Sequence, residues 1–252
     1  MTDILFGLIG FSIVFLSAAL IGGLAALRRK SPPAFREIPA FTRLRQAVGR
    51  VVEDGTRLHV SLGRGALITP QSASAMAGLM LLRRLAELTS AGDQPPIATS
   101  GDAALTILSQ DTLQTASQAS AQGVYDPTAG RLTGLTPFSY AAGAIPAIRD
   151  ENISANVLMG NFGVEAALLA EAAERANTFT LAASDNLAAQ AVLYATAQEP
   201  LIGEELYAAG AYMDAGPAHA ASLIVQDILR WLIIAVILMG AFIELLRAVG
   251  IL

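Results

Sequence analysis

The chain contains no cysteine. Disulfides, zinc–thiolate sites, iron–sulfur clusters and a cysteine nucleophile are excluded by that absence alone. Lysine is nearly absent: Lys30 is the single one. A Schiff base, a Walker-type phosphate loop or a Ser–Lys dyad would have to use it. Histidine is scarce as well, with only His59 and His219, and neither has a sequence neighbour that suggests a triad or a metal site. No Gly-x-Ser-x-Gly elbow occurs. The dinucleotide fingerprint is also missing, since Gly160 and Gly163 match only a fragment and Gly63-Arg64-Gly65 lacks a third glycine. The expectation is a protein with no catalytic residue, no metal ligands and no cofactor.

Charge is missing from one stretch in particular. Ile4–Leu27 has no ionisable residue and ends at Arg28-Arg29-Lys30. A bilayer crossing needs about 20 apolar residues as helix, so this stretch reads as a first transmembrane helix, residues 1–27. A cleaved signal peptide is the competing reading, but its apolar core would be shorter and its charges would precede it. A second apolar stretch, Trp231–Leu252, continues an amphipathic segment to give a final unit over 217–252. Trp231 suits the headgroup interface. The two spans explain a hydrophobic content of 54% beside 15% charged residues. The expected address is the cell membrane, multi-pass, with the central domain cytoplasmic and both termini outside, because basic residues flank spans on the cytoplasmic side.

Each span carries one feature of its own. In the first, Ala18, Gly22 and Ala26 recur every four residues, beside Ala19 and Gly23. Small residues at that spacing let helices approach closely, so this is a candidate packing seam. The alternative is that alanine and glycine are simply abundant. In the second, Glu244 and Arg247 stand three apart, close enough to pair on a helix. They are read either as reaching the far headgroups or as an intersubunit contact.

The net charge of −5 conceals a segregation. Between Arg28 and Arg64 lie Arg28, Arg29, Lys30, Arg36, Arg43, Arg45, Arg50, Arg57 and Arg64, against only Glu37, Glu53 and Asp54. From Leu85 to Leu229 only Arg131, Arg149 and Arg175 offset a long series of carboxylates. Residues 28–54 therefore read as a basic juxtamembrane segment facing anionic headgroups. Within it Phe35, Ile38, Phe41, Leu44 and Val48 fall near helical spacing, for a helix that lies along the membrane or packs under the domain. The acidic body disfavours nucleic acid. The partners implied are the lipid bilayer and either further copies of the chain or other membrane subunits.

Residues 55–216 alternate short strands with helices. Strands are expected at Arg57–Leu62, Pro96–Thr99, Ala155–Met159, Thr178–Ala182 and Pro200–Gly203, with helices between them. Residues 125–135 suggest a hairpin. This alternation gives the fold class α/β: a Rossmann-like parallel sheet with helices on both faces, flanked by one transmembrane helix at each end. The turns Ser100-Gly101-Asp102, Gly160-Asn161-Phe162-Gly163 and Ser184-Asp185-Asn186 then collect on the C-terminal edge of the sheet, with Arg64 at the same rim. Ligands of open α/β sheets bind there. These ten polar and glycine residues are the candidate ligand site: Arg64, Ser100, Gly101, Asp102, Gly160, Asn161, Gly163, Ser184, Asp185 and Asn186. The simpler account is that Asp, Asn and Ser cap helices and Gly makes tight turns. Glu165, Glu171 and Glu174 read as one solvated helix face.

The stretches Arg57–Pro70 (RLHVSLGRGALITP) and Ile97–Asp102 (IATSGD), set between two spans, resemble a family of two-pass bacterial membrane proteins known as a domain of unknown function. That resemblance covers nearly the whole chain and implies the membrane-flanked α/β plan, with no activity to carry over. Leu58–Leu88 is more loosely similar to the crotonase-like fold of membrane-bound serine peptidases, whose lysine base this chain lacks. Two functions from different classes remain: a non-catalytic membrane scaffold that forms a homo-oligomer or joins a larger complex, and a membrane-tethered ligand-binding or sensory domain that uses the strand-end rim.

Overall fold

The computed structural model describes residues 2–27, 35–69, 71–90, 92–119 and 125–249, with side chains from Phe6 onward. Two compact units emerge, one from residues 1–35 with 216–252 and one from Arg36–Ala215. The basic triplet 28–30 and the Pro-Pro pair at 32–33 lie outside the described residues.

The first unit is a helix pair. Helix α1 (Thr2–Leu27) packs against α9 (Pro217–Ala248). Both are long and apolar enough to cross a membrane. On α1 the half-covered positions are Ser17, Leu20, Ile21, Leu24 and Ala25, a stripe at three- and four-residue spacing, whereas Ala18, Ala19, Gly22, Gly23 and Ala26 are exposed. On α9, Glu244 and Arg247 form the expected pair, Oε1 to Nη1 at 2.8 Å.

The second unit is a six-stranded sheet, all parallel. Its strands are β1 (Arg57–Gly63), β2 (Ile97–Ser100), β3 (Gly130–Leu132), β4 (Ile153–Asn161), β5 (Phe179–Ser184) and β6 (Glu199–Leu201), in the order β3-β2-β1-β4-β5-β6. Helices α2 (Pro39–Glu53), α3 (Ser72–Thr89), α4 (Ala103–Ala119) and α8 (Glu205–Tyr212) close one face around Leu58, Val60, Leu62, Val157, Met159 and Leu181. Helices α5 (Pro137–Asp150), α6 (Ala166–Arg175) and α7 (Leu187–Thr196) close the other around Tyr140, Leu158, Phe162 and Ala182. Alternation along β1 decides this division. Successive side chains point to opposite faces, so Leu58, Val60 and Leu62 enter the aliphatic layer and His59 and Ser61 enter the other.

Two expectations are corrected here. Residues 125–135 hold no hairpin. Asp126 accepts from Thr128 N at 2.8 Å in a turn, and the three residues of β3 then pair parallel with the free edge of β2. The segment 28–54 is not one unit, because residues 36–53 belong to the body, and of the two placements expected for its helix the packing under the domain is the one found. Helix α2 buries Phe41, Leu44, Ala47, Val48 and Val51 in the core, and each large apolar side chain contributes about 1.5–3 kcal/mol by leaving water. Arg36, just before α2, and Arg43 and Arg45 on it meet carboxylates of the body: Arg36 pairs with Glu205, Arg43 with Glu199, and Arg45 with Asp214 at 2.9 Å. The charge segregation along the chain is thus undone in space, with Arg57 joining Glu151 and Arg64 joining Glu165 in the same way.

The two ends of the body meet. The Tyr212 hydroxyl donates to the Arg36 carbonyl at 2.7 Å, the Tyr212 and Phe41 rings stack with centroids 4.9 Å apart, and Arg45 also reaches the Tyr212 carbonyl.

Candidate functional site

The strand order reverses beside β1: the chain goes from β1 outward to β2 and β3, then returns to β4 on the other side. In open α/β sheets the crevice outside the C-terminal ends of two such strands is the ligand position. Here it lies between Gly63 and Asn161, which pair in register at the ends of β1 and β4.

The crevice is filled by the chain itself. Gly63 has φ 71°, a left-handed conformation open to glycine, and a Cβ on it would overlap the Asn161 carbonyl oxygen. Arg64 N donates to that oxygen at 2.9 Å. The Arg64 side chain then runs over Gly101, so closely that a Cβ there would strike its Cγ, and Nε donates to Glu165 Oε1 at 3.3 Å. The same Oε1 accepts from Gly163 N at 2.9 Å, and a Cβ on Gly163 would overlap the carboxylate. Glu165 is only 2% exposed. Its carboxylate sits on a backbone N–H just before α6, the kind of position an anion would take. The expectation that Glu165 shares a solvated face with Glu171 and Glu174 is therefore corrected. It precedes α6 and its side chain folds back over Gly163.

The other rim residues are also engaged from within. Asn161 Nδ2 donates to Asp185 Oδ1 and Ser74 Oγ to Asp185 Oδ2, both at 2.8 Å. Asp102 accepts from Leu105 N at 2.9 Å at the start of α4, and Asn186 caps α7 by accepting from Ala188 N at 2.9 Å. Ser100 Oγ contacts Thr106 Oγ1 at 2.5 Å. Ser184 Oγ accepts from Phe162 N at 3.1 Å. Gly160 lies against the Leu62 carbonyl. The structure thus brings Arg64, Gly101, Asn161, Gly163 and Asp185 into one cluster, whereas Asp102 and Asn186 serve their own helices.

A second polar constellation, which the sequence did not reveal, lies one layer deeper. His59 on β1 is fully buried between Asn156 on β4 (Nδ1 to Oδ1, 2.7 Å) and Thr99 on β2 (Nε2 to Oγ1, 2.9 Å). Tyr140 from α5 closes the group, with its hydroxyl against Ser61 Oγ and accepting from Gly63 N at 3.3 Å. Burial holds the His59 pKa at about 4, opposed by the Asn156 hydrogen bond, so the ring is neutral near pH 7. A neutral ring has one donor and one acceptor. With Nδ1–H donating to Asn156, Nε2 accepts from the Thr99 hydroxyl. The Asn156 Nδ2 group then has no partner. Burial also raises the Tyr140 pKa. The signal in the sequence was a histidine at an inward position of a central strand, which requires polar neighbours on both adjoining strands.

Among the described residues, no group of three or more His, Cys, Asp or Glu could hold a metal ion. Two clefts lie away from the rim. One of about 640 Å³ is lined by Glu174, Asn177, Thr180 and Gln198, and a smaller one of about 70 Å³ by Pro96, Leu113 and Tyr125. A family model described as a domain of unknown function (DUF6754) matches residues 6–251. No curated protein and no solved structure matches the chain.

Proposed function

The chain belongs to the DUF6754 family, and for this member we propose a non-catalytic, membrane-anchored scaffold that assembles with further copies of itself in the plane of the bilayer. The observation that carries the reading is the self-filled crevice. At the place where an open α/β sheet takes its ligand, the room left by Gly63, Gly101 and Gly163 is used by Asn161, Arg64 and Glu165. A pocket that needs its glycines to seat its own side chains supports a structural role over ligand exchange. The helix pair supplies the surface for assembly: Ala18, Gly22 and Ala26 lie off the half-covered stripe of α1, and a Cβ at Gly22 would meet nothing within 4 Å. That leaves close helix approach available to a neighbour. In this reading Arg28-Arg29-Lys30 keeps the body cytoplasmic and both termini outside.

Native mass measurement in mild detergent tests it. The expected result is an oligomer that Gly22→Ile converts to monomer, with the body still folded by circular dichroism. A wild-type monomer overturns it. The competing reading, a ligand-binding or sensory domain, requires thermal stabilisation by a nucleotide or metabolite that is lost on substituting Asn161 and Asp185.

A further inference from the structure

The C-terminal edge of the sheet has a property that the filled crevice makes legible. Five of its six strand-to-helix turns display a large apolar side chain to the outside. Ile68 follows β1, Leu135 follows β3 with Phe138 in the first turn of α5, Val164 follows β4, Leu187 follows β5 and Ile202 follows β6. Their exposures run from 41% for Ile202 to 97% for Ile68. Single exposed apolar residues, such as Ile107 on α4 and Tyr194 on α7, are ordinary; six gathered on one edge are the feature that calls for an account. On the opposite edge the turns between helix and strand carry Asp54, Asp93, Gln94, Glu151, Asn177 and Gln198, and among the described residues none of those turns has an exposed large apolar side chain.

Between the apolar tips, most of the charged and capping groups of the C-terminal edge are bonded internally. Arg64 pairs with Glu165, Asp185 accepts from Asn161 and Ser74, Asp102 and Asn186 cap their helices, and Thr136 with Ser139 forms a capping box on α5. Glu205 is held by Arg36 and accepts from Ile202 N at 3.4 Å. A surface whose polar groups are satisfied from within, and whose tips are aliphatic or aromatic, loses little on contact with an apolar medium.

The chain itself indicates which apolar medium. Arg36 stands on this edge, beside the turn of Ile202 and Glu205. Only residues 28–34 separate Phe35 from Leu27, the end of the first span, and seven residues reach at most roughly 25 Å. We propose that the C-terminal edge of the sheet is a lipid-docking surface, with Ile68, Leu135, Phe138, Val164, Leu187 and Ile202 entering the interfacial layer of the bilayer that the spans cross. Attraction to anionic headgroups is not the driving force, since Arg64 and Arg36 are both paired on this edge. Docking is apolar and persists in zwitterionic lipid and in salt.

The absence of native cysteine makes the test direct. Full-length protein is prepared with single substitutions Ile68→Cys, Phe138→Cys or Leu187→Cys on the edge, and Asp93→Cys or Gln198→Cys opposite. Each is labelled with an environment-sensitive fluorophore and reconstituted in phosphatidylcholine nanodiscs with and without nitroxide-bearing lipid. All five positions are on the surface, so folding is undisturbed. The expected result is severalfold stronger quenching by nitroxide lipid at 68, 138 and 187 than at 93 and 198, unchanged in high salt. Equal, weak quenching at all five positions overturns the proposal. So does a shielded edge label that nitroxide lipid leaves unquenched and that becomes solvent-exposed on dilution to one protein per disc, because that outcome assigns the edge to a second copy. Docking does not rest on self-association: the native mass measurement and the lipid quenching can fail separately.

Discussion

The two faces of the sheet are built on opposite principles, although the same strands supply both. One is aliphatic in its central rows: Leu58, Val60 and Leu62 of β1, Val157 and Met159 of β4 and Leu181 of β5, beneath α2, α3, α4 and α8. The other carries His59, Ser61, Thr99, Asn156 and Ser184 in its central rows, with Tyr140 laid over them from α5. Dispersion and water exclusion, which have no preferred direction, hold the first face. Hydrogen bonds, which do have direction, organise the second and fix neighbouring strands against one another. Moving α5 would break the Tyr140 contacts to two strands, β1 and β2.

Breaking each face in turn sharpens this contrast. The largest effect is expected on the aliphatic side. Leu62→Ala leaves a cavity beneath α3 and should destabilise the body by about 2–5 kcal/mol, read as a fall in the denaturation midpoint in mild detergent. The His59 side should respond to pH instead. Its folded pKa of about 4 lies below the ordinary 6.5, so on acidification the unfolded chain takes up the proton first. The contribution is complete above about pH 6.5, falls as pH drops through that window, and is gone near pH 4. The total loss is about 3 kcal/mol. His59→Gln should remove this part of the pH dependence, and an unaltered profile would show that another group causes it. The smallest effect is expected at Asn156→Val. The substitution deletes an amide that already has an unpaired Nδ2, which partly offsets the loss of the His59 partner. The net change should be about 1–2 kcal/mol. Because the Asn156 hydrogen bond supports the charged ring, the His59 pKa should fall further, as proton NMR titration would show.

Much of this architecture was legible in the sequence for local reasons. The spans announce themselves by uninterrupted apolar length. Most of the strands and helices announce themselves by run length and by capping residues such as Asp102 and Asn186. What stayed hidden depends on distant pairing. Nothing near Gly63 says that it pairs with Asn161, so the reversal of strand order beside β1 could not be placed. Glu165 resembled the exposed Glu171 and Glu174 in type and spacing, and only the fold back over Gly163 separates it from them. Arg36 and the α2 residues Arg43 and Arg45 read only as a membrane flank because the carboxylates they meet, Glu205, Glu199 and Asp214, lie more than 150 residues further along the chain. The rim residues were correctly gathered to one edge by the α/β alternation, but their mutual satisfaction is a property of side-chain reach that no spacing rule encodes.

The junction of the body's two ends has a practical meaning. Because Arg36 and Tyr212 are already joined by a hydrogen bond and a ring stack holds Phe41 against the same tyrosine, the body is topologically a closed loop with its seam at the surface. Excising residues 36–215 would leave no long dangling strand to reorder. A circular permutant that links those ends through a short glycine-rich bridge, and opens at a polar turn such as Ala176-Asn177, would inherit nearly all of the same contacts. The seam therefore marks the place at which to cut and rejoin this protein when its body is to be tested as an independent domain.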